Sequence, residues 1–513
     1  MLNFSKNRLI SRQVRTFVNS CSRMSGASII TDNARPEPDK VLKDIAEYIH
    51  KYDVNSQLAF DTARLCLLDT LGCGLAALKY EQPRKLIQPT VPGTIVPNGT
   101  RIPGTDIVVD PIRGAFGIGT IIRWLDYNDC WLAAEWGHPS DNLGGILAVA
   151  DYLTRLHKAT DGKEGKIFKV RDVLEGMIKA HEIQGILALE NSYNRVGLDH
   201  VLLVKVATTA VVSKMLGLSQ DQTIDALSHA FIDGQSLRTY RHAPNTMSRK
   251  SWAAGDACYR AVNLAYHVKN GEGGMPSALT AKNWGFYDVL FKGREFKFQR
   301  GYRSYVMENV LFKISFPAEF HAQTAVEAAL KHHSKLKESG KEVKDIKKIT
   351  IRTQDAAMRI IDKKGPLYNY ADRDHCIQYM VAIPLIYGRL TADDYGDNVA
   401  SNPEIDILRS KMQCVEEKQY TIDYHEPSKR YIGNAIKIEF NDGSSLDEVE
   451  VEYPIGHRKR REEGTPVLLE KFKRHVKEHF GEGDASDRII KASTSPDLDL
   501  LNIDEYVSLY VKS

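Results

Sequence analysis

From Asp39 to about Leu290 the apolar residues keep a helical period, and after Phe312 that period gives way to alternation. A chain patterned this way is restricted to a helical body with an α+β part added to it. Val41, Leu42, Ile45, Tyr48 and Ile49 mark one face of an amphipathic helix. The runs Ala63 to Leu78, Gly114 to Leu125, Leu143 to Leu156 and Val201 to Leu218 are apolar and rich in small residues, which predicts tightly packed, buried helices. Gly72-Cys-Gly-Leu-Ala-Ala77 resembles part of a dinucleotide fingerprint, but no strand precedes it, so close helix packing is expected there. Past Phe312, Ile346, Ile349 and Ile351 predict a strand. Ala435 to Phe440 and Leu446 to Tyr453 flank Asn441-Asp442-Gly443, a hairpin signal. Helical spacing returns over Leu468 to Phe480, so the C-terminal segment is expected to pack back onto the helical part. Arg458 to Arg461 reads as a solvated hinge or a helix start. The expected fold is a mainly α-helical large domain, residues 36–312 with 455–513, and a smaller α+β domain, residues 313–454, after a leader of residues 1–35.

The 513 residues are enough for two or three domains. The formal charge of +3 is misleading, because residues 1–31 hold Lys6, Arg8, Arg12, Arg15 and Arg23 and no acid; without those five the remainder lies near −2. So weak a field gives no reason to expect nucleic acid or a membrane surface as partner. The leader is also rich in serine, as a mitochondrial transit peptide is, which predicts a matrix location; a basic tail without an address has the same composition. The most apolar long run, Gln57 to Leu78, is interrupted by Asp61, Arg64 and Asp69, so no membrane span is expected. Seven scattered cysteines with no C-x-x-C pair fit reduced thiols and argue against a thiolate-bound iron–sulfur cluster. His181-Glu182 lacks a second zincin histidine, and no metal or other cofactor is expected.

Three segments carry groups suited to chemistry. Asp126 to Asn142 concentrates carboxylates, an imidazole and two tryptophans between apolar runs. Within it His138-Pro139-Ser140 predicts a helix start, with Ser140 as cap and free N–H groups facing a carboxylate. The same pattern describes a structural cap with a neutral histidine. Arg238 to Lys250 holds Arg238, Arg241, His242, Arg249 and Lys250 with no acid between Asp233 and Asp256. It suits either a clamp on a polyanion or an exposed basic loop paired elsewhere. Lys313 to His321 lies where the period changes, so His321 is placed to reach an interdomain cleft. His200, before an apolar helix, is a further candidate, and for both histidines a purely structural role is the alternative.

Taken together, the blocks beginning at Arg123, Arg241, Phe316 and Ala371 resemble the MmgE/PrpD family over roughly residues 37–480. The resemblance implies a helical domain completed by the C-terminal segment, a smaller α+β lid and a homodimer. It also implies lyase chemistry on a small tricarboxylate without metal or cluster: either dehydration of 2-methylcitrate or decarboxylation of cis-aconitate to itaconate. A catalytically silent tricarboxylate-binding homologue would share the scaffold. Carried over residue by residue, the family's catalytic positions match Asp126, His138, Lys250 and His321, with His200 across a small gap. Cys130 stands where a threonine is common, and it joins Ser140, Arg241 and His242 as expected substrate contacts. A lid tyrosine is Tyr368 or Tyr370, with Tyr370 preferred. The implied reaction is a β-elimination in which His138 and His321 share the base and acid roles, and Lys250 stabilises enolate-like charge.

Overall fold

The structure, a computed structural model, describes residues 33–512; the leader thus lies almost wholly outside the described residues. Helix α1 (Lys40–Lys51) buries Val41, Leu42, Ile45, Tyr48 and Ile49, the face that the spacing marks. Helix α2 (Gln57–Ala77) starts at Ser56, whose side chain accepts from the Ala59 N–H. Helix α3 (Pro111–Arg123) starts at Asp110, which caps the Ile112 and Arg113 amides ahead of a proline at the first turn. Next come α4 (Leu143–Ala159), α5 (Val170–Glu190), α6 (Val201–Met215), α7 (Gln220–Ile232) and α8 (Arg249–Lys269).

Glycines let three of these helices touch backbone to backbone. A Cβ added at Gly119 of α3 would lie 2.8 Å from the Gly255 Cα of α8, and one at Gly144 of α4 would lie 2.8 Å from the Gly119 Cα. No side chain larger than hydrogen fits there, which is why the runs are rich in small residues. Gly72 lies within α2 and faces Phe472, which an added Cβ would meet at an ordinary contact distance of 3.4 Å; the segment is helix, not a nucleotide loop.

The second part is built on a four-stranded sheet. Its strands are β1 (Ile346–Thr353), β2 (Met412–Glu416), β3 (Asn434–Phe440) and β4 (Ser445–Val451), in the spatial order β2-β1-β3-β4. β1 and β2 are parallel; β3 pairs antiparallel with both β1 and β4. The β3–β4 turn carries Gly443 at φ 86°, a conformation glycine adopts freely. Helices α9 (Gln323–Ser339) and α10 (Ile377–Tyr387) share the apolar core of this sheet. The helix α11 (Lys418–His425) borders the seam with the helical part.

The buried apolar residues accordingly form two cores. One joins residues 41–314 with Leu468 to Tyr510, and the other runs from Ala318 to Val451. A small third cluster, including Cys130, Leu311, Phe320 and Tyr424, fills the seam. Helix α12 (Arg461–Phe480) packs on α2, so the C-terminal segment does return to the helical core; the basic run forms a short 3₁₀ turn, Arg458–Arg460, leading into it. Among the described residues no helix is long and apolar enough to cross a membrane.

Lys471 of α12 sits inside this packing. Its ammonium donates to Asp69 Oδ1 (2.7 Å), the Tyr127 carbonyl (2.8 Å) and the Lys313 carbonyl (2.7 Å), so each of its three protons has an acceptor. Lys471→Met leaves Asp69 buried without its cation, which is expected to cost about 3–5 kcal/mol. Chemical denaturation of the two proteins should show it; a variant within about 1 kcal/mol of the parent would remove Lys471 from the load that holds the fold.

Candidate active site

Asp126 ends the turn after α3 in a left-handed conformation, φ 50°, which short polar side chains tolerate better than others. Its carboxylate meets two cations. Arg123 Nη1 lies 2.6 Å from Oδ1, and Lys313 bonds both Oδ1 and, at 2.9 Å, the Asp126 carbonyl. Burial works to raise this carboxyl, but Arg123 and then Lys313 outweigh it and hold the group well below the usual carboxylate range.

His138 lies beside this pair, with Nε2 3.8 Å from Asp126 Oδ1. Its Nδ1 faces the Asp129 carbonyl at 2.6 Å and must donate to it; its Nε2 faces Arg123 Nη2 at 2.9 Å and must accept. The ring is therefore neutral, with its lone pair on Nε2. Burial, Arg123 and Lys313 hold its pKa well below the ordinary histidine value. His200 is the next ring, 5.7 Å from His138 centroid to centroid, and both of its nitrogens are buried without a hydrogen-bond partner.

Lys250, at the start of α8, bonds Asp374 and lies 2.8 Å from His375 Nδ1. Burial draws its pKa down to about 8 despite Asp374. His375 Nε2 lies 3.8 Å from Asp126 Oδ2, which links Asp126 to His375, Asp374 and Lys250 across the two cores. Asp126, Asp374 and His375 offer ligand atoms close enough for a metal ion, but Lys313, Arg123 and Lys250 already neutralise the two carboxylates, so a dication would have to displace ammonium groups.

The expected helix start is a 3₁₀ turn, Pro139–Asn142, running into α4. Its free N–H groups do not face a ligand as the sequence suggests. Asp129 accepts from Ser140 N at 3.1 Å and from Ser140 Oγ at 2.7 Å, so Ser140 is spent on the protein's own carboxylate. Asp129 also receives His181 Nε2 at 2.9 Å, while His181 Nδ1 faces the Met177 carbonyl at 2.8 Å.

Arg241 also differs from expectation. Asp199 takes it with both carboxylate oxygens, leaving it little reach towards a substrate. Arg238, 8% exposed, is held more loosely: its Nη1 lies 3.7 Å from both Glu135 Oε1 and Asp199 Oδ2, and neither its Nε nor its Nη1 has a hydrogen-bond partner. His242 is exposed, with its ring outside these contacts, because the loop turns it to solvent. Cys130 packs in the apolar seam beside Leu132 and Phe320, where a thiol serves as a small hydrophobe. Tyr370 stacks near Tyr395 with a buried, unpartnered hydroxyl, and Tyr368 is 74% exposed. His321 is bonded on both sides, to Glu319 Oε1 at 2.8 Å and to Tyr424 Oη at 3.1 Å, and so stands at the seam without a bond to Asp126, His138 or Lys250. Arg123, Lys313, Asp374 and His375 are what sequence reasoning passed over, although each stands in or beside a block it singled out.

A helical body and an α+β lid meeting over a buried set of carboxylates, cations and a neutral imidazole define a lidded acid–base enzyme. The chain belongs to the MmgE/PrpD family: the MmgE/PrpD N-terminal domain matches residues 43–299 and the C-terminal domain residues 316–495. It is 73% identical over 491 residues to the mitochondrial 2-methylcitrate dehydratase of Yarrowia lipolytica, covering 96% of this chain and 93% of that protein. It is 70% identical to a probable 2-methylcitrate dehydratase of Saccharomyces cerevisiae, over 95% of each chain. To the 2-methylcitrate dehydratase of Salmonella typhimurium it is 62% identical, over 93% of this chain and 99% of that one.

Ser140→Ala tests the reassignment of Ser140. Losing its bond to Asp129 and the 2.9 Å bond it accepts from Asn128 Nδ2 should lower stability by about 1–3 kcal/mol with KM within about twofold of the parent, a near-zero binding change. A KM raised about tenfold, or 1.4 kcal/mol, with unchanged stability would return Ser140 to the substrate.

Proposed function

We propose that the chain is a 2-methylcitrate dehydratase, a hydro-lyase that removes water from 2-methylcitrate to give 2-methyl-cis-aconitate, working in the mitochondrion in propionate catabolism through the methylcitrate cycle. The observation that carries the reading is the neutral His138, its Nε2 lone pair held 3.8 Å from Asp126 among Arg123, Lys313 and Lys250. Elimination from a tricarboxylate needs a base for the C–H proton, cations for the charge that develops on the neighbouring carboxylate, and an acid for the departing hydroxyl.

His138 Nε2 is the base. When a substrate carboxylate draws Arg123 away, the lone pair is freed for the proton on the methyl-bearing carbon, and Arg123 with Lys313 stabilises the enolate-like charge. Lys250 is the acid: with its pKa near 8 it holds a proton at neutral pH yet gives it up readily to the hydroxyl, which leaves as water. That role moves from His321 to Lys250, because both His321 nitrogens are engaged at the seam. His200 and Arg238, buried with nitrogens that have no hydrogen-bond partner and only distant contacts to Asp199 and Glu135, bind the remaining carboxylates. Asp126 holds Arg123 and Lys313 in place.

The domain limits 36–312 with 455–513 and 313–454, and a homodimer in solution, belong to the same proposal; the split of the apolar core supports the limits, and sedimentation tests the dimer.

Purified protein given 2-methylcitrate, citrate and cis-aconitate should form alkene from 2-methylcitrate fastest, without CO2. Release of CO2 from cis-aconitate as the faster reaction would make the chain a decarboxylase instead. His138→Ala should fold and lose about 10²–10⁴-fold in kcat, whereas near-parental turnover would end the base assignment.

The protonation states set a pH profile. Lys250 must carry its proton, so kcat/KM should fall as pH rises through about 8. His138 must be neutral, and its lowered pKa keeps activity below the ordinary histidine range. In Lys250→Arg, whose group stays charged, the fall near pH 8 should vanish along with most of kcat. A parent-like fall in that variant would assign the limb to another group.

A further inference from the structure

The catalytic cluster is closed off: Asp126, His138 and Lys250 are no more than 8% exposed. A substrate must therefore pass through a wall, and two cavities straddle the seam between the helical part and the lid. The first, about 870 Å3, is walled by residues 189–195 and 291–299 on one side and by Arg359 and residues 424–430 on the other. The second, about 840 Å3, reaches Leu125 and Tyr127, the neighbours of Asp126, and Ser315 and Pro317.

Charge separates them. In the second cavity Lys79 is paired with Asp393 and Arg474 with Glu478, which leaves Arg84 and Lys512 as its cations without an ion pair among the described residues; the Lys79–Asp393 bond, joined by Tyr80, ties the helical part to the lid. The first is lined by Arg195, Arg294, Lys297, Arg359 and Arg430 against two carboxylates, Glu190 and Glu295. Of these cations only Arg359 forms an ion pair among the described residues, with Asp355. Four cations without an ion pair, set against Glu190 and Glu295, leave this lining more positive than that of the second cavity, and such a field collects anions.

The inner wall of this cavity leads to the site. Trp136 and Tyr424 both line it, and Trp136 Nε1 donates to Tyr424 Oη at 2.7 Å, a hydrogen bond between body and lid. Trp136 lies two residues before His138, and its ring centre is 5.7 Å from two guanidiniums: Arg359 in the cavity lining and buried Arg238, with its unpartnered Nε and Nη1. Cationic groups thus continue from the cavity, past the tryptophan, to the buried histidines.

We propose that the first cavity is the access vestibule for the polycarboxylate substrate, with the Trp136–Tyr424 contact as its door. The inference rests on the tricarboxylate reading above. The vestibule cations gather the trianion and hand it to Arg238 when the door opens; they take no part in the chemistry.

The test uses the full chain carrying Arg195→Gln, Arg294→Gln and Arg430→Gln together, against a control with Arg84→Gln and Lys512→Gln in the second cavity. With 2-methylcitrate at low salt, the triple variant should lose about tenfold in kcat/KM, keep its kcat, and show a flattened dependence on ionic strength. The control should follow the parent. The proposal is overturned if the triple variant matches the parent in kcat/KM and salt dependence, if the control shows the loss instead, or if kcat falls along with kcat/KM. Turnover of 2-methylcitrate by the parent reports separately on the functional reading. Should it be absent, stopped-flow association of citrate decides the vestibule: slower binding by the triple variant at low salt supports it, and equal rates refute it.

Discussion

One buried ammonium holds the working parts of this protein together. Lys471 reaches from the C-terminal helix to Asp69 of α2 and to the carbonyls of Tyr127 and Lys313. Those carbonyls belong to the two segments that bring Asp126 and Lys313 face to face. A charge so deep is tolerable only with every proton matched, and here three donors meet three acceptors. The C-terminal helix is therefore part of the site's support as well as of the core.

In front of this brace the site runs on a balance of charge. Asp126 and Asp374 cancel part of the field of Arg123, Lys313 and Lys250, and Asp199 cancels Arg241. What remains available is functional: a neutral His138, a Lys250 whose proton is loosened by burial, and the nitrogens of His200 and Arg238 that have no hydrogen-bond partner although Asp199 and Glu135 stand near them. Asp129 keeps this arrangement in register from behind. Its carbonyl sets the His138 tautomer, and its carboxylate fills the turn that would otherwise open to an anion. Such groups are fixed before a substrate arrives, so little reorganisation is left for the reaction itself.

Much of this was legible in the sequence. The change of period after Phe312 marked where the two cores divide, and the hairpin at Asn441-Asp442-Gly443 and the return of the C-terminal helix could be read from local pattern. The segments bearing Asp126, His138 and Lys250 stood out because so many charged and aromatic groups interrupt apolar helices. Within those segments, single assignments went astray in a consistent way. Ser140 looked free to bind a carboxylate, and Asp129 fills its place; Arg241 looked like the clamp, and Asp199 takes it with both oxygens; Cys130 stood among the expected substrate contacts, and it packs in the apolar seam.

Sequence alone determined the elements, their period and the residue types brought to the seam, because those depend on neighbours within a turn of helix or a strand pair. Tertiary structure decided who pairs with whom. Lys471 and Asp69 are 402 positions apart, and Lys250 and Asp374 are 124 apart. A buried charge or imidazole takes its protonation and its role from the partner that packing delivers, and no local pattern of residues specifies that partner.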